Sequence, residues 1–101
     1  MNTLLEDEVK TIETTDKGWK IVIFNDDFTP YDVVVMAIQK GANLSEEIAE
    51  MICKEAHTNG SAVVRNGLSQ EDAERRVEII VDFTKLGGLF QGVKCEAQKD
   101  E

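Results

Sequence analysis

The stretch Ile21-Val22-Ile23-Phe24-Asn25-Asp26-Asp27-Phe28-Thr29-Pro30-Tyr31 decides the fold, because it passes from strand to helix across three polar residues. With Trp19 and Lys20 before it, its β-branched and aromatic opening predicts a strand over 19–24 that presents Trp19, Ile21 and Ile23 on one face. Thr29 is suited to cap a helix and Pro30 to open one, since the first helical position needs no N–H. A strand that stops at Asn-Asp-Asp forms a polar shelf. Two carboxylates and an amide there can hold a cation or an ammonium through charge-assisted hydrogen bonds. Taken alone, however, Asp26 and Asp27 fit the commoner role of solvated turn residues.

Outward from the shelf, Val33 to Ile38 would be a strand by propensity, yet Thr29-Pro30 ahead and Gln39-Lys40-Gly41 behind are helix start and stop signals, so a short buried helix is expected. Ser45 caps a second helix with Glu46 and Glu47 in its first turn, where the helix dipole favours them. Ile48, Ala49, Ile52, Cys53 and Ala56 recur at spacings of three and four, His57 lies at the edge of that face, and Asn59-Gly60 ends the helix. A lone histidine in such a place is more often structural than a ligand contact. Ser61 to Arg65 reads as a second strand, with Asn66-Gly67 as a turn after it.

Ser69 and Asp72 resemble a capping box and open a third helix to about Leu86, with Ala73, Val77, Ile80 and Val81 facing inward and Gly87-Gly88 stopping it. Gly92 to Ala97 reads as a third strand before a polar tail, Gln98 to Glu101. The order β-α-α-β-α-β predicts an α+β fold: a small three-stranded antiparallel sheet with three helices packed on one face. Residues 1–17, with Glu6, Asp7, Glu8, Glu13 and Asp16 and no sustained period, are expected to be a flexible acidic extension, leaving 18–101 as the folded domain.

At 101 residues the chain suffices for one core, and 42% hydrophobic with 31% charged residues is an ordinary globular composition. A formal net charge of -9 argues against nucleic acid or an anionic membrane as the main partner and favours a monomer. Cys53 and Cys95 form no metal spacing and one histidine cannot complete a zinc site, so free thiols in a reducing compartment are expected and no cofactor is called for. No apolar run reaches membrane-spanning length and the N-terminus has no signal-peptide pattern, which points to the cytoplasm.

Asn25-Asp26-Asp27-Phe28-Thr29-Pro30, followed by a helix and then a second helix ending in His57-x-x-Gly60, resembles the ClpS family of adaptor proteins from about Lys20 to the end of the third helix. The resemblance implies an adaptor that binds the N-terminal residue of proteins marked for degradation and delivers them to a ClpA-type or ClpC-type unfoldase working with ClpP. It implies that Asn25, Asp27 and His57 contact the free α-amine, with Asp26 and Thr29 in support, and that an apolar pocket accepts Leu, Phe, Tyr or Trp. By position Tyr31, Val34, Leu44, Cys53 and Ala56 would line that pocket, and Glu74 and Arg76 lie in the region used for unfoldase contact.

The chemistry is coherent: a carboxylate supplies charge, an amide oxygen direction, and a neutral imidazole a lone pair. Binding is therefore expected to weaken through the range where an ordinary histidine takes up a proton. Tyr31 and Cys53 stand where the family commonly has methionine, and Phe90-Gln91-Gly92 lacks the family's proline, which puts a pocket contact from the last strand in question. A ClpS-like paralogue with altered or lost specificity, or a module modulating the unfoldase, is the main alternative. An acid/base enzyme using Asp26, Asp27 and His57 lacks a nucleophile with a fitting context. An interaction module like the C-terminal domain of the ribosomal stalk protein shares the architecture but has no need of the shelf.

Overall fold

The computed structural model describes residues 17–100, and the extension expected over 1–17 lies almost wholly outside them. The elements run β1 (Trp19–Phe24), α1 (Tyr31–Ala42), α2 (Glu46–Asn59), β2 (Ser61–Leu68), α3 (Gln70–Lys85) and β3 (Cys95–Lys99), with a single 3-10 turn at Leu86–Gly88. The sheet is antiparallel in the order β2-β1-β3, so the first strand is the central one. This is the expected α+β fold.

The core lies between sheet and helices. Ile21 and Ile23 point into it from β1, joined by Val35 and Ile38 from α1, Ala49 and Ile52 from α2, and Ala73 and Ile80 from α3. Trp19 packs at the margin of this cluster, as the alternation of the strand requires. Val22, on the opposite face, is nevertheless buried, which alternation alone does not foretell.

Both serine caps form, with Ser45 Oγ accepting from the Ile48 N–H at 3.2 Å and Ser69 Oγ accepting from the Asp72 N–H at 3.1 Å. The second half of the box is replaced by an ion pair. The Asp72 carboxylate is taken up by Arg75 and Arg76; partial burial pushes its pKa up, but hydrogen bonds and charge from the two arginines outweigh this and hold it below the usual value.

Several boundaries differ from the sequence expectation. Pro30, not Thr29, occupies the N-cap of α1, and no side chain caps that end. The helix runs past Gln39-Lys40-Gly41 to Ala42, where Asn43 takes the left-handed conformation that ends it. It is buried along one face only, for Tyr31 and Met36 are exposed. Asn66-Gly67 is absorbed into β2, whose register with β1 shifts so that Trp19 pairs with Leu68 and Ile21 with Arg65. The third strand begins at Cys95, three residues later than expected, and takes in Gln98 and Lys99 because they pair with Lys20 and Trp19.

Gly41 is needed for contact. A Cβ there would overlap Cγ1 of the fully buried Ile80 and stand 3.3 Å from the Arg76 carbonyl oxygen. Gly-to-Ala in a helix interior ordinarily stabilises by about 0.5–1 kcal/mol. Here crowding reverses the sign, so Gly41→Ala is expected to destabilise the fold by about 1–3 kcal/mol, read as a lower urea midpoint at unchanged m-value. A midpoint at or above wild type would show that α1 and α3 are not in such close contact.

Candidate functional site

The end of β1 is held in two places. The Phe24 N–H donates to the Lys94 carbonyl and the Asn25 N–H to the Gly60 carbonyl, each at 3.0 Å, so the strand ends between the loop before β3 and the C-terminus of α2. Beyond it the shelf organises itself. Asp26 Oδ1 accepts from the Phe28 N–H at 2.7 Å, and Oδ2 accepts from the Thr29 hydroxyl, which is buried. Both oxygens of Asp26 thus fix the turn.

Asp27 is used differently. Its Oδ1 accepts from Asn25 Nδ2 at 3.4 Å, a long bond that leaves most of the carboxylate's acceptor capacity free. The Asn25 side chain, donating there, keeps its amide oxygen as an acceptor. Next to the shelf lies a cavity of about 510 Å³, lined by Asn25, Asp26, Asp27 and Thr29 from the loop, Tyr31 and Val34 from α1, Cys53, Ala56 and His57 from α2, and Ile23 and Phe24 from β1. Polar acceptors stand at its rim and apolar side chains in its wall. Such a site can hold a small group that is cationic at one end and apolar at the other.

Nine of the ten residues expected at the amine and side-chain sites lie around this one cavity. Leu44 does not: it is half-buried against the core cluster, because Asn43 turns the chain away at the far end of α1. Val93, Lys54 and Thr58 also line the cavity without having been singled out from the sequence. Lys54 precedes His57 by three residues and Thr58 by four, a helical spacing that marks them as neighbours. Val93 comes from a segment with no period to betray it. Its N–H donates at 2.9 Å to the hydroxyl of Thr84, a fully buried residue of α3 whose own proton goes to the Val81 carbonyl at 2.8 Å.

Glu74 and Arg76 are elsewhere, on α3. Glu74 is exposed and accepts from Gln70 at 3.1 Å, whereas Arg76 is half-buried and donates to the Gly41 carbonyl at 3.0 Å. Among the described residues no three His, Cys, Asp or Glu side chains gather as a metal site. No helix of the described residues is long and apolar enough to cross a membrane.

Over residues 14–96 the sequence matches the family described as ATP-dependent Clp protease adaptor protein ClpS. Among solved structures the chain is similar to Agrobacterium tumefaciens ClpS2 bound to L-phenylalaninamide, with a TM-score of 0.74 and 26% identity, covering 83% of this chain and 98% of that one.

Burial, helped by the negative charge of Glu50, pushes the Cys53 thiol from an ordinary 9.0 up to about 11. At pH 7.5 its thiolate is therefore about 100-fold scarcer than in the unfolded chain. At the start of β3, burial and then the charge of Glu96 push the Cys95 thiol up to about 12. Both thiols should react with a disulfide reagent at pH 7.5 at least tenfold more slowly in the native protein than in urea, an estimate from thiolate scarcity alone. Fast native labelling of Cys53 would mean that the cavity wall opens readily there.

Proposed function

The chain belongs to the ClpS family of Clp protease adaptor proteins, and on that premise we propose that it binds the free N-terminal residue of substrate proteins and hands them to a Clp unfoldase. The substrate's first residue is Leu, Phe, Tyr or Trp in this reading, the unfoldase is of ClpA or ClpC type, and ClpP performs the degradation. The observation that carries it is the division of labour between two adjacent carboxylates, Asp26 with both oxygens engaged within the turn and Asp27 with one long bond at the cavity rim.

An α-ammonium has three N–H donors to satisfy. Asp27 offers charge and an acceptor, Asn25 an amide oxygen, and His57 an imidazole nitrogen when neutral. Beneath them Val34, Cys53, Ala56 and Val93 form an apolar wall for the side chain. L-Phenylalaninamide, the ligand of the similar ClpS2, carries a free α-amine and a benzyl group on one carbon, which is the pairing of features this cavity suits. Residues 1–17 would serve as the acidic extension used in delivery, and Glu74 is the more available of the two residues proposed for unfoldase contact, since Arg76 is engaged with α1. The chain acts in this reading as a monomeric cytoplasmic adaptor and catalyses nothing itself.

Labelled peptides that differ only in the first residue test the reading by fluorescence anisotropy. Leu, Phe, Tyr or Trp peptides should bind, and N-acetylation should abolish binding. Asp27→Asn and His57→Ala should each weaken it about 10- to 100-fold, the effect of losing a hydrogen bond to a charged group. Equal binding of the acetylated peptides would sink the amine-dependent reading, while preference for other first residues would favour the alternative of altered specificity, with Tyr31 and Cys53 as its cause.

A further inference from the structure

A second cavity, of about 560 Å³, lies against the same shelf. Asn25, Asp26, Asp27 and Thr29 line both cavities, so the wall between them is a single turn of chain. The remainder of the second cavity is Phe28 and the segment from Leu89 to Lys94. That segment alternates in its service: Val93 lines the first cavity, and its neighbours Gly92 and Lys94 line the second.

Three features make the second cavity a formed groove in which large apolar side chains stand among polar ones. Phe28 is 85% exposed and Leu89 73%, a pairing of large apolar side chains at one groove that solvation does not favour. The segment that carries Leu89 is tied at both ends, by the Phe90 N–H to the Lys85 carbonyl at 3.0 Å and by the Lys94 carbonyl to β1. Between these ties Gly92, at φ 98°, lies so close to α3 that a Cβ would stand 3.0 Å from Val81 Cγ1 and 3.1 Å from Lys85 Cγ. Lys94, the cation of the groove, is exposed and sits 4.8 Å from the Phe24 ring centroid and 3.9 Å from Glu96.

We propose that this groove receives an apolar side chain at the second position of the same substrate, which makes it a second specificity site. The proposal rests on the reading of the first cavity as the site of the N-terminal residue. In an extended chain successive side chains point to opposite sides. A first side chain held in one cavity, with its amine on the shelf, therefore turns the second side chain to the other side of that shelf. One residue advances the chain by about 3.3 Å, less than the roughly 5 Å thickness of a single chain segment, and the length of a Leu or Phe side chain supplies the remaining reach across the wall. What it meets there includes Phe28, Leu89 and Phe90, whose apolar surface favours Leu or Phe over Gly or Ser.

The test is anisotropy with Phe-Xaa peptides of otherwise identical sequence, Xaa being Leu, Phe, Gly, Ser or Asp, on the full chain and on Leu89→Ser. Leu89 lies outside the first cavity and is largely exposed, so the variant should fold and should bind Phe-Gly as wild type does. The expected result is about fivefold or more tighter binding of Phe-Leu and Phe-Phe than of Phe-Gly, from partial burial of one apolar side chain, and loss of that preference in Leu89→Ser. Equal affinity across Xaa, with acetylation still abolishing binding, overturns the second site and leaves the first intact. A preference that survives both Leu89→Ser and Phe28→Ser also overturns it, because the selectivity then arises elsewhere. Failure of every free N-terminus to bind removes the first site and the second with it.

Discussion

The hydrogen bond from the Asn25 N–H to the Gly60 carbonyl is the tie on which the site depends. Asn25 is the first residue after the central strand, and Gly60 caps the helix that carries His57. Without that tie the shelf would follow β1 and the histidine would follow α2, with no reason to meet. The Gly60 N–H donates to the Ala56 carbonyl at 2.8 Å, so the residue that closes the helix also holds the strand. Central placement of β1 strengthens the arrangement, since pairing on both sides leaves it no edge from which to fray.

The opposite end of α1 shows how charge serves the fold. Arg65 from β2 donates to the Ala42 carbonyl at 2.9 Å, and Arg76 from α3 donates to the Gly41 carbonyl at 3.0 Å. These are unpaired carbonyls at the negative end of the helix dipole, where cations are favoured by about 0.3–1 kcal/mol each, more when partly buried. In a chain of net charge -9 with only eleven basic residues, committing two of them to one helix end is a considerable share. The helix that supplies Tyr31 and Val34 to the cavity is thereby secured at its far end.

Much of this was legible in the sequence, for identifiable reasons. Serine caps and apolar periodicity act within one or two turns, so Ser45, Ser69 and most of the inward faces of α2 and α3 could be read directly, although Ile48, expected on the inward face of α2, is exposed in its first turn. Helix α1 was legible only through its flanking signals, because its valines favour a strand. What could not be read depends on contacts far apart in the chain. Thr84 looks like an ordinary helix residue, and its hydroxyl matters only because Val93, nine residues on, needs an acceptor inside the fold. Leu44 fits the apolar pattern of a pocket, yet the left-handed turn at Asn43 gives it to the core. Asn66-Gly67 is a turn signal by composition, but pairing with β1 carries the strand through it.

Thr29 shows how a local signal can be correct in chemistry and mistaken in target. Its hydroxyl does make a short-range bond at the start of a helix, as a capping residue would, but it donates to Asp26 in place of accepting from the helix. The consequence is that α1 begins uncapped at Pro30, whose fixed φ of -59° starts the helix without help from a side chain. The helix gives up a cap, worth about 1 kcal/mol, and the shelf gains a rigid carboxylate. The turn that Asp26 and Thr29 fix is thus the one that carries Asn25 and Asp27 to the cavity rim.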